Sequence, residues 1–306
     1  MSELIRRYGT SLSWLMIGFT AFWLLVLVLI PNFVLFEFSF KPYLPVDQLG
    51  GPKDFYSLNN YLTFLHDPQP VRFWGVTLYY ASIHVQIFLM TVIYSSLVTL
   101  LCLILSYPLA YFLAKVVDPK TAPSIFLLLI IPLWVSEILR SFAWFIILAY
   151  NGPLNALLHG IGIEPVRWIS GYNAVIIGLI YSYLLFMLLP IYNAISSLDT
   201  NQIEASEDLG ASMWRTHWRV VIPHSKPGIA SGCVMVFMLC AGSVIVPSTL
   251  ASPNSRWFTE IIYQTMFEGL DWNTGAAYAF SLLALCIIFV SLVMRLLNVR
   301  LVDIAK

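Results

Sequence analysis

Charged residues are scarce in this chain of 306 residues. Asp, Glu, Lys and Arg together make up 10% of it, whereas 59% of the residues are hydrophobic. Soluble domains carry about a quarter of their residues as charged side chains. The composition therefore excludes an ordinary soluble protein and indicates a protein embedded in a bilayer. The 16 basic and 16 acidic residues cancel, so net charge gives no indication of a nucleic-acid partner.

Motifs for several kinds of chemistry are also missing from the sequence. A phosphate-binding loop of the form G-x-x-x-x-G-K-[ST] does not occur, nor does H-E-x-x-H or G-x-S-x-G. The cysteines stand singly in apolar runs, without the close spacing of a metal site. We therefore expect no catalysis by this chain, no ATP binding through such a loop, no metal, and buried structural roles for the cysteines.

Six apolar runs are long enough to cross a bilayer, which takes about 20 mostly apolar residues. The predicted spans are 14–36, 91–114, 123–150, 173–195, 228–250 and 275–297. No charged residue occurs between 73 and 114, a stretch about twice as long as one span needs. We assign residues 37–90 to an extracytoplasmic segment that ends in an aromatic interfacial helix over 73–90. The fold class is therefore an all-α membrane protein with six transmembrane helices.

The distribution of Lys and Arg predicts the orientation of the chain. If the N-terminus is cytoplasmic, the cytoplasmic segments hold twice as many Lys and Arg residues as the opposite side. Positively charged loops are retained in the cytoplasm. We therefore expect both termini, residues 1–13 and 298–306, on the cytoplasmic side, together with the loop 196–227 that lies within the five-span core 91–297.

The loop 196–227 carries signals for a folded helical element. Asp199 or Thr200 can cap the start of a helix, and Gly210 suits the left-handed position that ends one. We expect the acidic residues between them to lie in the early turns, where the helix dipole favours negative charge. These acidic residues are Glu204, Glu207 and Asp208.

A second helix is predicted from about Ser212. It would present one apolar stripe and a basic stripe formed by Arg215 and Arg219. The apolar stripe consists of Trp214, Trp218, Val221 and Ile222. We expect Pro223 and Pro227 to break the chain before the fifth span. Such a pair of helices either docks into another protein at the membrane face or folds against its own bundle, and the pattern alone does not separate these two alternatives.

Within this loop the sequence resembles the "EAA" loop of permease subunits in ATP-binding-cassette importers. That loop has E-A-A, a Gly six residues after the Glu, and an apolar-Pro pair some twelve residues beyond. The residues that carry the resemblance are Glu204, Ala205, Ser206, Asp208, Leu209, Gly210, Ala211, Ile222 and Pro223. Ser206 replaces the second Ala, a change between small residues. Three further segments, 105–111, 140–144 and 151–152, resemble the spermidine/putrescine branch, which also includes transporters for opines, phosphonates and ferric iron.

The resemblance implies a type I importer permease fold in the bacterial inner membrane. It further implies that Glu204 faces basic groups on a cytoplasmic ATPase and that Gly210 provides the turn of a coupling helix. The implied partners are a second homologous permease subunit, two ATP-binding subunits and an extracytoplasmic substrate-binding protein. ATP and Mg would bind to the ATPase, so this chain would hold no cofactor.

Two ionisable residues fall at membrane depth, where charge is costly and often functional. Glu137 and Arg140 are three residues apart and share a helix face. Either they neutralise each other in a salt bridge, or they line the substrate path with Trp134 and Trp144, whose rings could add cation–π contact to an ammonium group. Pro132 is expected to interrupt this span.

Two further residues are substrate-path candidates. The resemblance implies a small polar organic solute, most of all a polyamine-like one, with an opine, phosphonate, amino-acid-like or ferric-iron substrate as alternatives. Ser243 stands where relatives in the resembling family often carry an acidic residue, which weakens the case for a polyamine. Glu260, with Glu268 and Asp271, either guides a cation or contacts a binding protein, or belongs to a plain solvated loop. Two other functional classes are a secondary transporter, which would show inverted repeats, and a membrane enzyme, which would need a constellation of catalytic residues that we do not find.

Overall fold

The computed structural model describes residues 9–45, 48, 50–63, 68–73, 76–118, 120–253 and 255–300. The predicted segments 1–13 and 298–306 lie mostly outside these residues. The helices, numbered in chain order, are α1 (Thr10–Ser39), α2 (Asn59–Leu62), α3 (Ile83–Val116), α4 (Ala122–Trp134), α5 (Glu137–Leu148), α6 (Pro153–Gly160), α7 (Asn173–Ser196), α8 (Thr200–Asp208), α9 (Met213–Ala241), α10 (Ile245–Leu250), α11 (Phe258–Tyr263) and α12 (Trp272–Leu297). Six helical segments are long and apolar enough to cross a membrane: α1, α3, α5 with α6, α7, α9 and α12.

The chain divides into two compact units, residues 67–261 with 282–306 and residues 1–66 with 262–281. In the first, α7 is the central helix, and it packs against both α3 and α9. Gly228 of α9 lies against the Pro190 backbone of α7, and Gly232 lies against Met187 of the same helix. At either glycine, an added Cβ would come within 3 Å of these neighbours. Small residues four apart allow such close approach of membrane helices.

In the second unit, two asparagine side chains bind the end of α1. Asn60 donates to the carbonyls of Ser39 (3.0 Å) and Lys41 (2.7 Å), and Asn273 donates to those of Phe38 (3.1 Å) and Lys41 (2.9 Å). Carbonyls at the end of a helix have no partner within it. The two amides therefore replace the missing intrahelical hydrogen bonds. Beside them, Lys41 Nζ donates a hydrogen bond to Glu37 Oε1 (2.7 Å), and this bond raises the pKa of Lys41.

The prediction of an interfacial helix over 73–90 was wrong. Two antiparallel strands, β1 (Pro68–Phe73) and β2 (Val76–Ser82), occupy the first part of this region, and α3 already begins at Ile83. Val, Thr and Tyr are frequent in β2, and these β-branched and aromatic residues favour strands. The Ser82 hydroxyl then accepts a hydrogen bond from the His84 N–H (3.3 Å) and caps the helix.

The third predicted span is interrupted, as Pro132 led us to expect. The chain forms a 3₁₀ turn over Ile131–Trp134, leaves helical geometry at Val135 and Ser136, and starts α5 at Glu137. The start of the fifth span was predicted wrongly. Pro223 and Pro227 do not break the chain but lie inside the continuous helix α9.

A π-helical turn over His217–Val221 precedes the two prolines of α9. A proline lacks the N–H that closes an ordinary helical turn, and its ring crowds the preceding turn. The wider π-turn changes the local hydrogen-bond register just before Pro223. The helix therefore continues through both prolines and ends at Ala241, so that Ser243 lies in a short break before α10.

Candidate functional site

The predicted helix of the 196–227 loop is α8. Asp199 caps its start, since its carboxylate accepts the Asn201 N–H (3.0 Å). Gly210 ends it with a left-handed φ of 77°. The Gly210 N–H donates to the Glu207 carbonyl (2.8 Å) and the Ala211 N–H to the Ser206 carbonyl (3.1 Å). This pair of hydrogen bonds is the Schellman motif. Both predicted caps are therefore confirmed.

The expected position of the acidic residues was partly wrong. Because α8 ends at Asp208, Glu207 and Asp208 occupy its last turn, and Glu204 lies at its centre. The dipole of a helix disfavours negative charge at its C-terminal end, by roughly 0.3–1 kcal/mol per charge. Helix stability therefore does not account for these acids. All three are exposed, as an interface with a basic partner requires.

Four large apolar side chains, one just after α8 and three in the first two turns of α9, are exposed and form what we call the apolar loop surface. Leu209 is 89% exposed and Trp214 76% exposed, and Met213 and Trp218 complete the set. The predicted stripe divides at this point, because Val221 is fully buried and Ile222 half-buried in the bundle. The alternative in which the loop folds against its own bundle therefore holds for Val221, whereas the apolar loop surface faces outward and does not pack against the bundle.

Glu137, the first residue of α5, forms no ion pair with Arg140 among the described residues. The Tyr183 hydroxyl of α7 donates to Glu137 Oε1 at 3.0 Å. Arg140 Nε is buried and has no hydrogen-bond partner among the described residues. The predicted salt bridge is therefore wrong. Sequence reasoning missed Tyr183, which is 46 residues from its partner and has no local signal.

Two other substrate-path candidates, Ser243 and Trp144, contact α7 at or near Tyr183. Ser243 lies beside the Tyr183 hydroxyl, and its carbonyl accepts a hydrogen bond from Thr259. Trp144 lies on α5 two turns after Glu137, and its ring packs edge-on against Tyr181 with centroids 5.4 Å apart. The structure thus brings Glu137 and Ser243 together through Tyr183.

Two candidates lie apart from this cluster. Trp134 is 80% exposed at the end of its 3₁₀ turn. Glu260 lies in the first turn of α11, half-buried, and no hydrogen bond joins it to Glu137 among the residues that the structure describes.

At the end of the bundle opposite the 196–227 loop, Asn155 organises the connection between α5 and α7. Its Nδ2 donates to the carbonyls of Tyr150 and Val166 (2.9 Å each), and its Oδ1 accepts from the Val166 N–H (3.0 Å) and Trp168 Nε1 (3.1 Å). A cavity of about 530 Å³ lies beside this connection, and Arg167 and Trp168 are among the residues that line it. The buried amide fixes the shape of this opening.

Comparison with known proteins places these features in a family. Residues 106–303 match the family described as the binding-protein-dependent transport system inner membrane component. The spermidine/putrescine transport system permease protein PotB of Salmonella typhimurium is 33% identical over 92% of this chain and 94% of that protein. PotB of Escherichia coli K12 is 34% identical over 85% of this chain and 88% of that protein.

Solved structures show the same fold. A bacterial ABC transporter involved in the import of the acidic polysaccharide alginate superposes with a TM-score of 0.71 at 17% identity, covering 96% of each chain. The MetNI methionine ABC transporter in an inward-facing conformation superposes with a TM-score of 0.51 at 17% identity, over 71% of this chain and 93% of that one. The predicted type I importer permease fold is thus confirmed.

Proposed function

Because the chain belongs to the family of inner-membrane components of binding-protein-dependent transport systems, and is therefore the permease subunit of an ATP-binding-cassette importer, we propose that its substrate is an organic polycation of the polyamine class. ATP hydrolysis in such importers is carried out by a separate subunit. The observation that carries the proposal is the Glu137 carboxylate, which Tyr183 holds at membrane depth.

A carboxylate at this depth is costly unless a partner compensates it. The Tyr183 hydrogen bond orients Glu137 but supplies no positive charge, and no ion pair with Arg140 is formed among the described residues. An ammonium group of a passing substrate would supply that charge. Trp144, on the same face of α5 as Glu137, offers an aromatic ring for further contact with a cation. The names of the PotB relatives point to the same substrate class.

The unpaired Nε of Arg140 supports one alternative substrate class. Glu137 and Arg140 are one helical turn apart, so a solute that carries both an ammonium and a carboxylate could bind across the two. Opines and amino-acid-like solutes have this charge pattern. A substrate of this kind needs Arg140 as well as Glu137, whereas a polyamine needs only Glu137.

We further propose the assembly. The permease pairs with a second, homologous permease and with two ATPase subunits that bind ATP and Mg, and it receives substrate from an extracytoplasmic binding protein. Both termini and the 196–227 loop lie in the cytoplasm. In this assembly the 196–227 loop couples the chain to an ATPase subunit. The apolar loop surface and the exposed acids of α8 support this role, because together they match a cleft with an apolar floor and a basic rim on that subunit.

Uptake by the complete transporter in proteoliposomes tests the substrate. We expect ATP-dependent uptake of radiolabelled spermidine or putrescine, and we expect Glu137→Gln to raise the KM roughly tenfold or more, as for loss of a charge-assisted contact. Glu164→Gln, at an exposed carboxylate, is the matched control and should leave KM unchanged. If Arg140→Gln abolishes uptake of a zwitterionic solute and polyamines are not transported, the alternative holds. Equal KM values for Glu137→Gln and the control would remove Glu137 from the substrate path.

A further inference from the structure

The 196–227 loop is attached at two points to a single helix, α3. Near the start of the loop, Lys115 Nζ donates a hydrogen bond to the Leu198 carbonyl. Beyond α8, in the second turn of α9, the Tyr107 hydroxyl and His217 Nδ1 share a hydrogen bond of 2.8 Å. The Tyr111 ring also packs edge-on against the His217 ring, with centroids 4.4 Å apart. We call these four contacting side chains, Tyr107, Tyr111, Lys115 and His217, the loop clamp.

The α3 side of the clamp occupies one face of that helix. Tyr107, Tyr111 and Lys115 are spaced by four residues, and residues at this spacing lie one above another. Lys115 lies in a π-helical turn, Phe112–Val116, and His217 begins the π-turn of α9. Each of the two attachments of the loop therefore includes a residue of a π-turn. Such turns are frequent at functional positions in helices.

The loop between its two attachments is braced internally. The Schellman motif fixes the end of α8, and the hydroxyls of Ser206 and Thr216 hydrogen bond across the two arms at 3.0 Å. Thr216 is buried and adjoins His217. A push on the apolar loop surface is therefore passed to the attachments, because the loop cannot absorb it by bending at Gly210 without breaking these bonds.

The next step leads from α3 into the bundle. Ser106, adjacent to Tyr107, donates to the Leu184 carbonyl of α7 at 3.2 Å. Cys102, one turn earlier, is fully buried against the same helix. A displacement of the end of α3 therefore moves the contact with α7, the helix that carries Tyr183.

We infer that the loop clamp is the element that transmits movement of the loop to α3, and that Tyr107 and His217 are positioning residues for transport. This inference rests on the proposed coupling function of the loop. It adds a specific connection: displacement of the apolar loop surface is transmitted to α3 through the hydrogen bond between Tyr107 and His217. Loss of this bond separates ATP hydrolysis from transport without removing the docking surface.

The test uses the complete transporter in proteoliposomes and measures substrate transported per ATP hydrolysed. Tyr107→Phe deletes only the hydroxyl, and we expect the ratio to fall about fivefold, as for the loss of one hydrogen bond. Tyr94→Phe is the matched control on the same helix, since the Tyr94 ring stacks on Tyr172 and its hydroxyl makes no hydrogen bond among the described residues. ATPase subunits should co-purify equally with both variants.

Two substitutions of His217 distinguish transmission from simple packing. An asparagine amide can occupy the position of Nδ1 and bond to the Tyr107 hydroxyl, so His217→Asn should retain most of the transport ratio and His217→Leu should lose it. Combining His217→Leu with Tyr107→Phe should cost no more than either change alone, because both remove the same bond.

Three results would overturn the inference: Tyr107→Phe matching the Tyr94→Phe control, His217→Asn failing like His217→Leu, or ATPase subunits being lost from the Tyr107→Phe complex. Glu204→Lys is measured in parallel. If that variant transports at the wild-type rate, the proposed coupling role of the loop fails, whatever the clamp variants show. If Glu204→Lys lowers transport, the coupling role of the loop stands. Unchanged transport ratios in the clamp variants would then contradict the clamp inference alone.

Discussion

Substitution of Gly228 by alanine tests the packing of α7 against α9. A Cβ at this position would lie 2.5 Å from the Pro190 carbonyl oxygen and 2.5 Å from Ala194 Cβ. Non-bonded atoms settle at roughly 3.5 Å, so the two helices must separate by about 1 Å. One of the opposing atoms belongs to the backbone and cannot move by changing rotamer.

The expected cost follows from two opposing terms. Overpacking of a well-packed interior costs about 1–3 kcal/mol, whereas alanine is favoured over glycine in a helix by about 1 kcal/mol. Gly18→Ala, on α1, gains the helix preference of alanine without the cost of overpacking, because nothing lies within 4 Å of the added Cβ. We expect Gly228→Ala to be less stable than Gly18→Ala by about 2 kcal/mol.

Gly232→Ala should fall between these two variants. The nearest atom to its added Cβ is the sulfur of Met187, at 2.7 Å, and a flexible side chain can move aside. Unfolding of the full-length chain by SDS in mixed micelles, followed by tryptophan fluorescence, measures the free energy of unfolding. If Gly228→Ala and Gly18→Ala agree within about 0.5 kcal/mol, which is the usual effect of an isolated surface change, the close crossing does not exist as described.

Three further predictions concern the two ends of the bundle and its interior. Glu204→Lys should leave membrane insertion intact but lower ATP-driven uptake about tenfold or more, because charge reversal at the proposed docking site costs about 2 kcal/mol or more. Wild-type uptake would contradict the proposed coupling role. Tyr183→Phe should raise the KM for a cationic substrate about fivefold through loss of the hydrogen bond to Glu137, and an unchanged KM in transport assays would show that the bond does not matter. Asn155→Leu should lower the free energy of unfolding by about 3 kcal/mol, since it leaves several buried polar groups without hydrogen-bond partners. An unchanged midpoint of SDS unfolding would refute this prediction.

Local signals in the sequence were enough to predict several structural features. Long apolar runs predicted six membrane helices, and the first, fourth and sixth lie close to their predicted positions. Asp199 and Gly210 were identified as helix caps because capping depends on a few adjacent residues. A pattern confined to one turn of chain can be interpreted without knowledge of the tertiary fold.

Other features depend on residues that are distant in the sequence. The spacing of Glu137 and Arg140 favoured a local ion pair, but the hydrogen bond of Glu137 goes to Tyr183 on another helix. The hydrogen bond between Tyr107 and His217 likewise joins two helices, at residues 110 positions apart in the sequence. Pairing of this kind follows from the packing of helices, which a single sequence does not encode in any short pattern.

The prolines of α9 illustrate a third case. Pro223 and Pro227 each lack the N–H that an ordinary helical turn needs, as predicted. The helix accommodates them after a π-turn and is not broken. Which of the two occurs depends on neighbouring helices, because the buried face of α9 holds the segment helical. Val221 and Gly228 belong to that face.

The two asparagines at the end of α1 impose an order on the biogenesis of the protein. Asn60 is synthesised soon after α1, but Asn273 follows Lys41, whose carbonyl it binds, by 232 residues. At about 5–20 residues per second, a ribosome needs roughly 10–50 seconds to make the intervening chain. During that time the end of the first helix has only one of its two amide partners. The first span to enter the membrane is thus among the last to be completed.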